Sequence, residues 1–153
     1  MRPHRVVVPA LAALLAGCAD PFGMRGPDVR APDIKAMSVF FTHVYAPDQW
    51  IDTVAAGEEV MVMVQMTCDG EFPLYRVLVT ANADTISDGQ QGCSGGGGRG
   101  EGWSASGRSW TPPGSGVYRF TAVLDTDDQF TETDETNNTT TGTLVVLGRS
   151  ISP

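Results

Sequence analysis

At 153 residues, with 41% hydrophobic and 18% charged positions, the chain has the composition of one folded domain and too little charge for a disordered one. Ten Lys/Arg against eighteen Asp/Glu give a formal net charge of -8. Nucleic acid is excluded as a partner, because nothing here neutralises a row of phosphates; divalent cations and basic surfaces stay open.

The chain begins with a basic segment, MRPHR, followed by a short apolar stretch, VVVPALAALLAG. That stretch is well below the ~20 residues a spanning helix needs. It ends in Leu15-Ala16-Gly17-Cys18, which resembles the lipobox of bacterial lipoproteins. The resemblance implies cleavage before Cys18 and acylation of its thiol, and several acyl chains on one residue satisfy the requirement for stable anchoring. Ala19, rather than aspartate, implies the outer membrane, on its periplasmic face or at the cell surface. Residues 1–17 are therefore expected to be a signal peptide. The Pro- and Gly-rich residues 18–32 should form a flexible tether, spanning about 20 Å. In an oxidising compartment Cys68 and Cys93 are expected to pair, and closing a loop of that length is worth roughly 3 kcal/mol. Free thiols are the alternative; a metal pair is disfavoured, since beyond the signal only His43 remains and no CxxC occurs.

From Asp33 onward, short apolar runs alternate with turn residues. DIKAMSVFFTHV reads as a first strand and APDQWIDTVAAGEE as a loop. EVMVMVQMT is the strongest strand, with Val60, Val62, Val64 and Met66 on one face and Met61 and Met63 on the other. Apolar on both faces, it should be central. LYRVLVTA, GVYRFTAVL and TGTLVVL follow, and no window carries a helical stripe. The pattern predicts an all-β, immunoglobulin-like antiparallel β-sandwich of about seven strands over residues 33–147, with 148–153 as a tail. The Gly-rich residues 87–102 read as an irregular loop holding Cys93, so no antibody-type disulfide between sheets is expected.

Two motif matches in that loop carry no chemistry. Gly92-Cys93-Ser94-Gly95-Gly96 fits GxSxG but lacks the strand–turn–helix context and a histidine base, with His43 reading as a strand-end surface residue. Gly95, Gly97 and Gly100 fit a dinucleotide fingerprint without a βαβ unit. The sequons at Asn137 and Asn138 mean little behind a bacterial lipobox.

DTDDQFTETDETNN, Asp125 to Asn138, places six acids in fourteen positions. An EF-hand order fails, because Gln129 and Phe130 stand where an Asp/Asn and the glycine belong. A different calcium site would use Asp125, Asp127, Asp128 and Glu132, with Glu135 as a further candidate. The reading we favour is a turn-rich crossing whose acids accept backbone N–H bonds while Phe130 pins it to the core.

The surrounding residues carry a family resemblance. Trp110, Pro112 and Pro113, then Gly116 and Tyr118, then Asp125 to Asp128, then Glu132, Glu135, Asn137 and Asn138 follow one another as in the C-terminal half of CARDB, the cell-adhesion-related domain found in bacteria. Upstream, PDIKAMSVFF and AAGEEVMVMVQMTCDG resemble its opening strands more loosely. Cys68 stands where the family usually has an asparagine, and the Gly-rich loop replaces a short connection. The resemblance implies an extracellular immunoglobulin-like module that spaces, displays or adheres and is not an enzyme, with Trp110 in the core. Three roles are consistent with it: adhesion to an unidentified protein or glycan; a spacer or assembly subunit held through sheet edges or the Met61/Met63 face; and carbohydrate binding with Trp50 and Trp103 as stacking platforms.

Overall fold

The structure is a computed structural model and describes residues 33–69, 71–94 and 102–148. The signal peptide, Cys18, the tether, residues 95–101 and residues 149–153 lie outside the described residues. Nine strands are present among the described residues: β1 (Asp33–His43), β2 (Ala46–Ile51), β3 (Thr53–Ala55), β4 (Val60–Asp69), β5 (Glu71–Ala81), β6 (Asp84–Ser94), β7 (Gly102–Trp110), β8 (Gly116–Leu124) and β9 (Thr139–Leu147). They form a four-stranded sheet, β2-β1-β4-β7, packed on a five-stranded sheet, β3-β9-β8-β5-β6. All pairs are antiparallel except β3 with β9, because the chain leaves one sheet at Asp52 and joins the other as a short parallel strand.

β4 is central, between β1 and β7, as its sequence demands. Val60, Val62, Val64 and Met66 are buried between the sheets, whereas Met61 and Met63 are half-buried on the outer face. β1 solves a phase problem. Ile34 and Ala36 face the core, but strict alternation would then bury Ser38 and Phe40. A bulge between Ala36 and Ser38 takes up one residue, so that Val39 and Phe41 turn inward instead. Opposite them, Phe120 of β8 sits at the centre of the core, 4.7 Å from the Phe41 ring and edge-on to Trp110 at 5.1 Å. Trp110 thus packs on the core, as the family pattern implied.

Two of the expected loops contain strands. Residues 46–57 hold β2 and β3, and residues 87–94 belong to β6, which pairs with β5 from Ala81↔Asp84 to Glu71↔Ser94. β2 and β6 are edge strands, so a neighbour's ladder on one side sets their conformation and apolar alternation does not announce them. With Cys93 on β6 and Cys68 on β4, the Cys68–Cys93 disulfide does join the two sheets. It runs from β4 to β6, however, and not from β4 to β8.

The two sheets approach each other most closely along β1 and β9. A Cβ on Gly142 would lie 2.5 Å from the backbone oxygen of Val39 and 2.9 Å from its Cβ. Backbone cannot step aside as a flexible side chain can. Gly142→Ala is therefore expected to destabilise the domain by about 1–3 kcal/mol, measured as a lower urea midpoint with an unchanged slope. An unchanged midpoint would mean that the seam is looser than the structure describes.

Candidate functional site

The acidic crossing from β8 to β9 is built by hydrogen bonds from backbone amides to carboxylates. Asp125 is 6% exposed and in the left-handed region at φ 47°; its carboxylate accepts the Gln129 and Phe130 N–H groups at 3.1 and 3.0 Å. Phe130 then meets Phe72 edge-on at 5.1 Å, which pins the turn to the core. Glu132, also 6% exposed, accepts the Ile34 N–H at 2.6 Å and the Asn138 side-chain amide at 2.9 Å. Glu135 accepts the Glu132 N–H, Asp134 the Thr136 N–H, and Asp33 at the start of β1 the Asp134 N–H. Backbone bonds complete the clasp: Ala36 N–H donates to Asn137 O at 3.0 Å and Leu124 N–H to Asn138 O at 2.8 Å. The crossing thus fastens the first half of β1 to the end of β8 and the start of β9.

The same geometry shows where the four calcium candidates lie. Both oxygens of Asp125 and both of Glu132 already accept hydrogen bonds. Asp127 turns outward to Arg76 at 2.9 Å, and Arg76 also holds Asp88 through two bonds of 2.7 Å. Asp128 occupies the exposed end of the turn at φ 51°. Among the described residues, no three His, Cys, Asp or Glu side chains converge as a metal site requires.

The electrostatics follow the burial. The Glu132 pKa is raised above the ordinary glutamate value, chiefly by desolvation; the bonds from Ile34 and Asn138 pull the other way, and Glu135 and Asp125 add to the rise. Tyr75, buried beside them and donating to Met66 Sδ at 2.7 Å, is raised mainly by desolvation and then by Glu132 and Asp125. At the surface, the hydrogen bond from Arg76 lowers Asp88, and the bonds from Thr136 lower Asp134. A carboxyl raised in the folded state stabilises the fold most below its unfolded pKa, and that contribution is lost as pH rises through the folded value. Unfolding free energies of the wild type and of Glu132→Gln are therefore expected to converge or cross as pH rises from below the ordinary glutamate range, with the wild type losing ground. A wild-type advantage that grows with pH would contradict this placement of Glu132.

The aromatic candidates separate. Trp50 lies on β2 opposite Thr42, while Trp103 lies on β7 opposite Thr67. Three strand spacings and six residues of register put them on the order of 25 Å apart, at opposite corners of the sheet. They do not form one stacking platform. The companion of Trp50 is Phe40, which sequence reading missed: its ring lies 4.9 Å away at 30°. Only the pairing of β1 with β2 brings these two together. Trp50 is 71% exposed. On the same outer face Met61 and Met63 lie along Gly107, where a Cβ would come within 2.5 Å of Met63 Sδ. His43 closes β1 at the surface, 3.2 Å from Glu58.

Two sheets in this order, with the Tyr118 hydroxyl donating to Gly114 O at 3.0 Å in a tyrosine corner, define an immunoglobulin-like sandwich. Within that class, residues 102–142 match the family model of CARDB. The fold resembles the crystal structure of the CARDB domain of a Pyrococcus furiosus protein in complex with di-metal ions, at a TM-score of 0.64 and 19% identity, over 78% of this chain and 97% of that one. The solution NMR structure of the same domain gives a TM-score of 0.58 at 20% identity, over 77% and 97%. No curated protein is similar enough to count as a relative. The CARDB resemblance therefore stands: the C-terminal strands match the family in sequence, and the sandwich matches it in fold. CARDB is a family of non-catalytic, adhesion-related modules.

Proposed function

We propose that this chain is a non-catalytic binding or adhesion module of the bacterial envelope, tethered by lipid on Cys18 to the outer membrane. The observation that carries the reading is the CARDB sandwich itself, with its chemically capable side chains engaged in holding it together. The disulfide ties the sheets, and the carboxylates clasp β1 to the β8–β9 crossing. Calcium is not needed in this reading, although the Pyrococcus domain was crystallised with di-metal ions, because Asp125, Asp127 and Glu132 already have protein partners and Asp128 lies at the exposed end of the turn. One surface open to a partner among the described residues is the outer face of the four-stranded sheet around Phe40 and Trp50.

Metabolic labelling with a fatty-acid analogue tests the anchor. The full chain produced in a Gram-negative host should take up label and sediment with outer membranes, and Cys18→Ala should lose both properties. Label retained by Cys18→Ala, or wild-type chain released unlabelled, would overturn the anchor. A second reading, a spacer or assembly subunit, is favoured by the half-buried Met61 and Met63 on that same outer face. It requires an oligomer at micromolar concentration, read by light scattering, that Met63→Lys disperses.

A further inference from the structure

We propose that the corner where the chain passes from β2 to β3 is a subsite for a neutral saccharide, with the Trp50 indole as its stacking surface. The inference rests on the binding-module reading above and names its ligand class. A cleft of about 360 Å³ opens at this corner, lined by Phe40, Trp50, Ile51, Asp52 and Thr143 together with Val39 and Phe41. Its position is fixed by pairing on both sides: Ile51 sits opposite Phe41, Thr53 opposite Val145, and Val145 N–H donates to Asp52 O at 2.8 Å.

The lining has two characters. Phe40 lies close against Trp50 and holds an indole that remains 71% exposed. The rim is polar. Asp52 is oriented by the Thr53 hydroxyl at 3.0 Å, which engages only one carboxylate oxygen. Among the described residues neither the Trp50 indole N–H nor the Thr143 hydroxyl has a hydrogen-bond partner.

An acyl chain would leave this rim unsatisfied, and a small polar ion would not use the indole. A hexose has both halves: a C–H face that packs on an aromatic ring, and hydroxyls that both donate and accept. The volume has about the room of one or two sugar rings. The ligand should not be anionic, since the Asp52 carboxylate and a net charge of -8 repel uronic or sialic acids; a neutral sugar is set apart from a cation by a choline control.

The test uses the full chain in a detergent without a sugar head group. Chitotetraose, cellotetraose, maltotetraose and mannotetraose are titrated by tryptophan fluorescence, with tetragalacturonate and choline as charged controls. At least one neutral tetrasaccharide should quench and shift the emission. Trp50→Ala should weaken that binding by roughly tenfold or more at an unchanged melting temperature. Asp52→Asn should weaken it several-fold, and Trp103→Phe should leave it intact. No neutral oligosaccharide binding, undiminished binding by Trp50→Ala, or preference for either charged control would overturn the proposal. Adhesion of cells displaying the chain separates the two levels. If wild-type and Trp50→Ala cells adhere equally while no sugar binds, the saccharide subsite falls and the adhesion module stands. If neither adheres and no sugar binds, both fall.

Discussion

Glu132→Ala is expected to lower the stability of the domain by about 3 kcal/mol, a fall in melting temperature on the order of 10 °C. The effect comes from the groups left behind. Ile34 N–H is fully buried at the start of β1, and the Asn138 amide is half-buried; both donate to Glu132 and neither has another acceptor among the described residues. Loss of one partner leaves the desolvation cost of the other in full, at about 1–3 kcal/mol for each orphaned group. The carboxylate itself is not a source of favourable charge energy, since burial raises its pKa. Glu132→Gln, which keeps an acceptor, should therefore recover a large part of the loss. In a double-mutant cycle with Asn138→Ala, the two changes should cost less together than their sum. Additive effects would mean that Glu132 acts through something other than this contact.

Removing the disulfide should have an effect of similar size through a different state. Cys68 and Cys93 are 1% and 4% exposed, and the bond joins β4 to β6 across 25 residues of sequence. Opening a loop of that length restores chain entropy to the unfolded ensemble, worth about 3 kcal/mol. The buried sulfurs also pack in the core, so Cys68→Ala with Cys93→Ala should destabilise by at least that amount. The unfolded chain then becomes more expanded, so the urea slope should rise while the midpoint falls. Reduction of the wild type should reproduce the loss. A double variant with wild-type stability would show that the β4–β6 end holds without its link.

How much of this was legible in the sequence varied with what each feature depends on. β4 was legible because Val60, Val62, Val64 and Met66 repeat with the period of a buried strand face. The turn chemistry of Asp125 was legible as well, because a short acid reaching amides four and five residues ahead is a local event. β2 and β6 were hidden. APDQWI has no buried face at all, and DTISDGQQGCS takes its conformation from the β5 ladder. The reach of Glu132 to Ile34, 98 residues away, has no sequence signature, and neither does the contact of Trp50 with Phe40 across β1 and β2. Placing Cys93 in a loop also hid the link between sheets, since the strand that carries it, β6, has no apolar alternation to announce it.

The most direct test of the acidic crossing as a clasp is thermal unfolding of the full chain under oxidising conditions, with millimolar calcium and with chelator. Asp125 and Glu132 have both oxygens occupied by protein donors, and Asp127 is held by Arg76. The melting temperature should therefore be the same in both conditions, while Glu132→Ala lowers it equally in each. A rise of several degrees with calcium that disappears on Asp128→Ala would contradict the clasp and make the crossing a metal site.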